Sequence, residues 1–116
     1  MKVFVSGATG FIGIQLVKRL IRDGATVHAL YRSESKADLI RLPNVILFKG
    51  NILDIPSIER AMEGCEVAYH TAAFAGVWAK DPEQVFRLNV DGALNVIETA
   101  GRQVCKRVVI TSTAGI

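Results

Sequence analysis

The stretch that decides the fold is Val3–Gly13, which reads VFVSGATGFIG. Its apolar beginning is followed by Gly7, Gly10 and Gly13, spaced three residues apart. The residues beyond repeat apolar side chains with a helical period, so the glycines lie where a buried strand turns into a helix. A turn without Cβ atoms lets the backbone approach a pyrophosphate, and the following helix presents unused N–H groups and the positive end of its dipole. This context favours a dinucleotide-binding loop over an incidental glycine-rich turn.

The helix after the glycines is predicted over Phe11–Arg22 and ends at Asp23-Gly24, since glycine commonly follows a helix. A glycine inside its first turn costs about 1 kcal/mol relative to alanine. Close packing of the helix on the strand would explain why position 13 is glycine. The apolar face of the helix is predicted to comprise Ile12, Leu16, Val17, Leu20 and Ile21.

The composition is that of an ordinary globular domain. The chain has 116 residues, 50% of them hydrophobic and 22% charged, which suffices for one domain with a core. The net charge of +3 comes from scattered basic residues, which disfavours nucleic-acid binding. No apolar run approaches a membrane span, and the chain runs from Met1 directly into a strand, leaving no room for a signal peptide. We therefore expect a cytoplasmic protein with no membrane contact, in which Cys65 and Cys105 stay reduced and, lacking metal spacing, bind no metal.

Strand and helix patterns alternate along the rest of the chain. Further strands are predicted at Thr26–Tyr31, Val45–Phe48, Val67–His70 and Arg107–Thr111. Further helical segments are predicted within Ser33–Leu42, over Asp54–Met62 with Asp54 as the cap, and from Asp81 to about Ala100. This alternation implies a single α/β domain, residues 1–116, with a parallel sheet and right-handed crossovers.

The end of the second strand carries positive rather than negative charge. A cofactor with a free ribose 2′-hydroxyl wants an acidic acceptor there, whereas a 2′-phosphate wants a cation. Neither Tyr31 nor Arg32 is acidic, and Arg32 and Lys36 offer a guanidinium and an ammonium group. We therefore favour NADP over NAD as the cofactor, the alternative being that both cations are merely solvated.

Three asparagines are candidates for polar contacts. Asn51 follows the third strand and either reads the edge of an adenine or only forms a turn, two interpretations that the spacing leaves open. Along the last helix, one stripe of mostly apolar residues is expected to be buried. A neighbouring row of residues, which includes Asn89, should face the sheet, and a buried Asn89 amide would need hydrogen-bond partners. Asn95, in the same helix, is interpreted as a solvent-facing residue. The stripe is Val85, Leu88, Gly92, Val96 and Ala100, and the row is Asn89, Ala93 and Ile97.

Small and hydroxylated residues follow the fourth and fifth strands. The segment His70–Ala73 leaves room for a ligand at a carboxyl end, where crevices form in such sheets. His70 itself is interpreted as a hydrogen-bonded structural histidine rather than a catalyst. In Thr111–Thr113 the hydroxyls either position a substrate carbonyl or alcohol, or simply cap the end of the strand.

Together these segments resemble the extended short-chain dehydrogenase/reductase superfamily, also called the NAD-dependent epimerase/dehydratase family. Gly7–Gly13 matches its cofactor motif, and Gly50–Asp54 matches its adenine segment, with Asn51 in place of the usual acid. His70–Ala73 is similar to the segment that passes the nicotinamide ribose. Asn89–Asn95 is similar to the motif whose first asparagine supports the active site, and Thr111–Ala114 to the segment whose third residue is the catalytic serine or threonine.

This resemblance implies a doubly wound parallel sheet (a Rossmann fold) in three layers, with strand order 3-2-1-4-5. It implies catalytic roles for Asn89 and Thr113. The predicted cofactor-binding residues, including the two cations above, are Gly7, Ala8, Thr9, Gly10, Phe11, Ile12, Gly13, Arg32, Lys36, Asn51, Ile52, Thr71, Ala72 and Ala73.

Within the superfamily, the segment Ala75–Pro82 and the pair Tyr31-Arg32 look most like the dihydroflavonol-4-reductase-like branch. Such enzymes move a hydride between a nicotinamide cofactor and a carbonyl or alcohol, using a Tyr-x-x-x-Lys pair as general acid/base. Neither Tyr31 nor Tyr69 is followed by lysine four residues later, so we expect an N-terminal fragment that is inactive alone. The alternatives are a nucleotide-sugar epimerase or dehydratase, or a non-catalytic dinucleotide-binding module.

The family's sheet continues beyond its fifth strand, so the strand at Arg107–Thr111 is expected to have one unpaired edge. An exposed apolar edge invites pairing with another chain. We therefore expect self-association of this chain, through that edge or through uncovered apolar helix faces.

Overall fold

The computed structural model of the chain describes residues 1–71 and 82–111, without the side chains at positions 82, 84–86 and 88. Its strands form one parallel sheet in the order β3-β2-β1-β4-β5, as predicted. The strands are β1 (Lys2–Ser6), β2 (Thr26–Tyr31), β3 (Val45–Lys49), β4 (Val67–His70) and β5 (Arg107–Ile110). The helices are α1 (Phe11–Arg22), α2 (Glu34–Ala37), α3 (Ile55–Met62) and α4 (Pro82–Arg102), with a short 3-10 helix at Asp38–Ile40.

Helices cover both faces of the sheet, which confirms the three-layer arrangement. On one face α1 packs on β1 and β2 around Val3, Val5, Val17 and Val27, all fully buried. On the other face α3 and α4 enclose Phe4 and a second core. The central strands are apolar on both sides because both sides are covered, as parallel sheets require. The two faces leave the carboxyl ends of the strands as the open edge where loops meet.

Two helical faces differ from the prediction. Ile12, assigned to the apolar face of α1, is 57% exposed, and Ile97, assigned to the sheet-facing row of α4, is 41% exposed. Among the residues of α4 whose side chains the structure describes, Gly92, Val96, Thr99 and Ala100 are buried. The predicted stripe is thus buried at Gly92, Val96 and Ala100, whereas the neighbouring row is only half-buried at Asn89 and Ala93 and exposed at Ile97. The helix continues through Gly101 to Arg102, two residues beyond its predicted end.

Turns between helices and strands lie at the amino edge of the sheet, away from the glycine loop. There the thiol of Cys105 donates to the carbonyl oxygen of Cys65 at 3.3 Å. Burial, with a smaller effect of the neighbouring Cys105, raises the pKa of the Cys65 thiol to about 12. Burial also raises the pKa of Cys105. Both cysteines are free thiols, as predicted.

Within residues 1–71 and 82–111, none of the helices combines the length and the apolar character needed to cross a membrane.

Candidate dinucleotide site

The glycine turn between β1 and α1 has the geometry of an anion-binding loop. Gly7 has a φ of 70°, a left-handed conformation that favours glycine, and its carbonyl accepts from the N–H of Gly10 at 3.0 Å. Gly10 caps α1, and the first intrahelical bond runs from Ile14 N–H to Gly10 O at 2.9 Å. The three preceding amides, 11–13, are thus left as donors that the helix does not use. No acidic residue lies in this first turn, so nothing there opposes an incoming phosphate.

Gly13 is required by packing, as predicted. A Cβ at this position would collide with the Gly7 carbonyl oxygen and lie 2.7 Å from Gly7 C and 2.9 Å from Ala8 Cα. The helix can therefore approach the loop only without a side chain here, and the approach presses Ala8 into a fully buried position. The loop is thus a cradle of backbone amides at a helix N-terminus, the kind of arrangement that binds phosphate groups.

The end of β2 lies beside this cradle and carries cations. The β1–β2 register pairs Val5 with Ala29, so it brings Gly7 alongside Tyr31. Arg32 and Lys36 are both exposed, and within the described residues neither makes an ion pair. Of the two acids in this segment, Asp38 pairs with Arg41, and Glu34 accepts from the Tyr31 hydroxyl at 3.2 Å and lies 3.5 Å from Lys49 Nζ. Both carboxylates are thus already engaged, whereas the two cations are available to a ligand.

The loop after β3 is tied down by a serine that the sequence reasoning missed. Ser57 Oγ accepts from Asn51 N–H at 3.1 Å and donates its one hydrogen to the carbonyl oxygen of Asp54 at 2.7 Å, with the carbonyl oxygen of Asn51 as a longer alternative acceptor at 3.1 Å. Gly50 leaves space for it, because a Cβ there would lie 2.5 Å from Ser57 Oγ. Asp54 stands at the predicted capping position, but its carboxylate makes no capping bond. The available signal was a serine three residues after an aspartate, a spacing at which a serine hydroxyl can bond the earlier backbone carbonyl.

Asn51 forms a turn of its own. Its Oδ1 accepts from Leu53 N–H at 3.0 Å, which is the turn interpretation that the sequence left open. The side chain remains half-buried next to the end of β2, since Gly50 N–H donates to Tyr31 O at 2.8 Å. Contact with an adenine stays a prediction.

The interpretation of Asn95 as solvent-facing is wrong. Asn95 is half-buried, and its Nδ2 donates to the carbonyl oxygen of Ile52 at 2.9 Å. Gly92, one turn earlier, allows this approach because a Cβ there would collide with the Ile52 side chain. The spacing of Gly92 and Asn95 was the available signal, since residues three apart share a helix face. Asn89 is also half-buried.

The ends of β1 and β4 are joined below the cradle by a buried polar pair. Ser6 Oγ lies 2.7 Å from Nδ1 of His70, and both residues are buried. Burial lowers the pKa of His70, so the neutral ring is favoured. Thr71, a predicted cofactor residue, donates its hydroxyl to Ser6 O at 2.6 Å, and Thr111 donates to His70 O at 3.3 Å. The structural interpretation of His70 is therefore supported.

The other predicted site residues are distributed unevenly. Thr9 is half-buried, whereas Phe11 and Ile12 are exposed at the mouth of the cradle. Ala72, Ala73 and the catalytic candidate Thr113 lie outside the described residues, as does most of the Ala75–Pro82 segment. In the part of the chain that the structure describes, no three His, Cys, Asp or Glu residues cluster to hold a metal.

Comparison with known sequences agrees with this geometry. Residues 3–116 match the family described as "NAD dependent epimerase/dehydratase family". The chain belongs to this family. The glycine cradle, the parallel sheet and the loop after β3 thus form an NAD(P)-binding domain of the epimerase/dehydratase family.

Relatives of this family member include reductases and epimerases. The chain is 38% identical to sterol demethylase protein B of Methylococcus capsulatus over 117 residues, covering 99% of this chain and 35% of that protein. It is 37% identical to dihydroflavonol 4-reductase of Solanum lycopersicum over 123 residues, covering 97% of this chain and 32% of that protein. Its fold superimposes on a UDP-glucose 4-epimerase of Thermotoga maritima, crystallised with UDP-glucose, with a TM-score of 0.88 and 28% identity. This superposition covers 99% of this chain and 38% of the epimerase chain. The chain spans about a third of the length of these relatives.

Proposed function

We propose that this chain is the NADP-binding domain of an oxidoreductase that transfers a hydride between NADP(H) and a ketone or alcohol. The observation that carries the proposal is the position of two uncommitted cations, Arg32 and Lys36, beside the glycine cradle. A 2′-phosphate carries two more negative charges than a hydroxyl at most pH values in cells, so it gains most from such a pair.

Each part of the domain has a role in binding. The amides of Phe11–Gly13 and the positive end of α1 hold the pyrophosphate. Arg32 holds the 2′-phosphate and the face of the adenine, and Lys36 adds a point charge. The loop Gly50–Asp54 lies on the other side of the adenosine. NADP, when bound, supplies or accepts the hydride.

Titration of the 116-residue chain tests the cofactor choice. We expect NADP to bind at least about tenfold more tightly than NAD, one charge-assisted contact being enough for this ratio. Arg32→Gln and Lys36→Gln should each reduce the ratio, whereas NAD affinity changes little. Arg22→Gln is the matched control, because Arg22 is an exposed cation at the far end of α1. Equal or tighter binding of NAD by the unmodified chain would contradict the proposal.

The catalytic assignments are part of the proposal. Asn89 supports the active site from α4, and Thr113 polarises the substrate oxygen. Neither tyrosine of the chain has a lysine four residues on, so the general acid/base pair is not present in these residues. We expect the 116-residue chain to bind the cofactor without turnover of any carbonyl substrate, and measurable turnover would overturn this assignment.

A nucleotide-sugar epimerase or dehydratase is the second candidate. The likeness to the Thermotoga maritima epimerase, which extends over 99% of this chain, favours it. The two candidates differ in the substrate half, so the test uses a protein that joins this chain to the further residues that its relatives have. NADPH consumption with a ketone supports the reductase, and conversion of a UDP-sugar without net cofactor consumption supports the epimerase.

A further inference from the structure

The loop between β3 and α3 is held from two helices, and one of its peptide units is bonded at both ends. From α3, Ser57 bonds Asn51 N–H and the Asp54 carbonyl. From α4, Asn95 Nδ2 donates to the carbonyl oxygen of Ile52 at 2.9 Å. The N–H of the same peptide unit, that of Leu53, donates to Asn51 Oδ1 at 3.0 Å. A planar peptide so bonded cannot rotate without breaking one of the two bonds.

This peptide connects Asn95 to the carboxamide of Asn51. Because Leu53 N–H needs an acceptor, it attracts Oδ1 of Asn51 and thereby fixes which end of the carboxamide is oxygen and which is nitrogen. Ile52, 7% exposed, packs its side chain against Gly92, so the residue is anchored there while the Asn95 bond sets the rotation of its peptide plane. Loss of the Asn95 bond frees the peptide plane and, with it, the orientation of the Asn51 amide.

A carboxamide of fixed orientation matches adenine. Its oxygen accepts from the exocyclic N6 amino group while its nitrogen donates to a ring nitrogen, the pairing that Asn makes with adenine. Oδ1 has a second lone pair beyond the one that Leu53 uses. Hypoxanthine has an oxygen at the same position as the amino group, so a fixed carboxamide oxygen meets another acceptor. Asn51 stands where the family usually has an acid. Because it carries no charge, its discrimination between adenine and hypoxanthine depends on the orientation of its amide.

We propose that Asn95 is a positioning residue that sets the base specificity of the dinucleotide site, acting through the Ile52–Leu53 peptide on Asn51. The inference rests on the proposed dinucleotide binding. It adds that a residue of α4 determines which base the site prefers. Asn95 touches no ligand in this arrangement. Its effect is on the ratio of two affinities rather than on binding as a whole.

The experiment compares NADP with nicotinamide hypoxanthine dinucleotide phosphate, which differs only in the base. The unmodified chain should prefer the adenine form about tenfold or more, the discrimination of one good base contact. Asn95→Leu, which removes the donor, should reduce the preference to within about twofold. The matched control is Gln103→Leu, because Gln103, in the turn after α4, also donates a side-chain amide to a backbone carbonyl, Nε2 to Glu59 O of α3 at 3.2 Å, and this bond does not involve the loop after β3. This control should keep the full preference.

The outcomes separate the two proposals. If the unmodified chain binds neither dinucleotide, the proposed function fails. If it binds both equally, or if folded Asn95→Leu keeps the tenfold preference, the role of Asn95 is overturned while dinucleotide binding stands. Should Asn95→Leu not fold, Asn95→Asp keeps the size and removes the donor, and its preference ratio decides in the same way.

Discussion

At the scale of single residues, the Ser6–His70 pair makes stability depend on pH. Burial lowers the folded-state pKa of His70, so the unfolded chain binds a proton more readily. The stabilisation is complete above the unfolded pKa near 6.5 and is lost as the pH falls from there through the folded pKa. We expect the free energy of unfolding to fall over this window, as measured by urea titration between neutral and acidic pH.

His70→Gln isolates this contribution, because glutamine can still bond Ser6 but does not titrate. The slope of stability against pH should be shallower in the variant, whatever its stability at neutral pH. Identical slopes in the two proteins would show that His70 is not the group responsible.

At the scale of elements, the turns that follow the helices differ in one informative residue. After α1, Gly24 has a φ of 93°, and Gly64 in the turn after α3 has a φ of 78°. After α4, the same left-handed position is occupied by Val104, with a φ of 58° and 82% exposure. A β-branched residue in this conformation is strained, and its exposed side chain recovers little through packing.

Val104→Gly should therefore stabilise the domain by about 1 kcal/mol, the left-handed penalty less the entropy that glycine costs. The melting temperature should rise by about 4 °C. The opposing control is Gly24→Ala, which meets nothing within 4 Å but must adopt a φ of 93°, so it should destabilise through strain alone. A lower melting temperature for Val104→Gly would show that the valine makes a contact that offsets its strain.

Strands, helices and turns could be predicted from the sequence where a single local sequence rule determines them. The strands follow from apolar runs bounded by turn residues, and Gly13 follows from the strand–turn–helix context. The face of α4 was not predictable in the same way. A polar residue in an amphipathic helix is assigned to solvent by default. The spacing of Gly92 and Asn95 marks a shared helix face but not the partner of Asn95, which is a backbone carbonyl 43 residues away. The Ser57 contacts were missed for a similar reason, because the Asp54–Ser57 spacing does not show that the hydroxyl also reaches the backbone of Asn51.

At the scale of the whole molecule, the sheet ends at strand β5. In the described residues β5 pairs only with β4, and Ile110 at its end is 42% exposed. Within residues 1–71 and 82–111 no strand bonds its outer N–H and C=O groups, so this edge could pair with the same edge of a second copy of the chain.

We expect the 116-residue chain to self-associate in a concentration-dependent manner, as measured by sedimentation velocity. Ile110→Lys should weaken the association, because a charge on an edge strand opposes pairing and the exposed position tolerates a lysine without loss of the core. Lys18→Glu on the exposed side of α1 changes the charge without touching the edge and should leave association unchanged.

If all three proteins sediment as monomers at high concentration, the edge does not pair. If Ile110→Lys associates as strongly as the unmodified chain, the contact lies on a helix face instead, and the exposed side chains of Val90, Leu94 and Ile97 on α4 become the surface to substitute next.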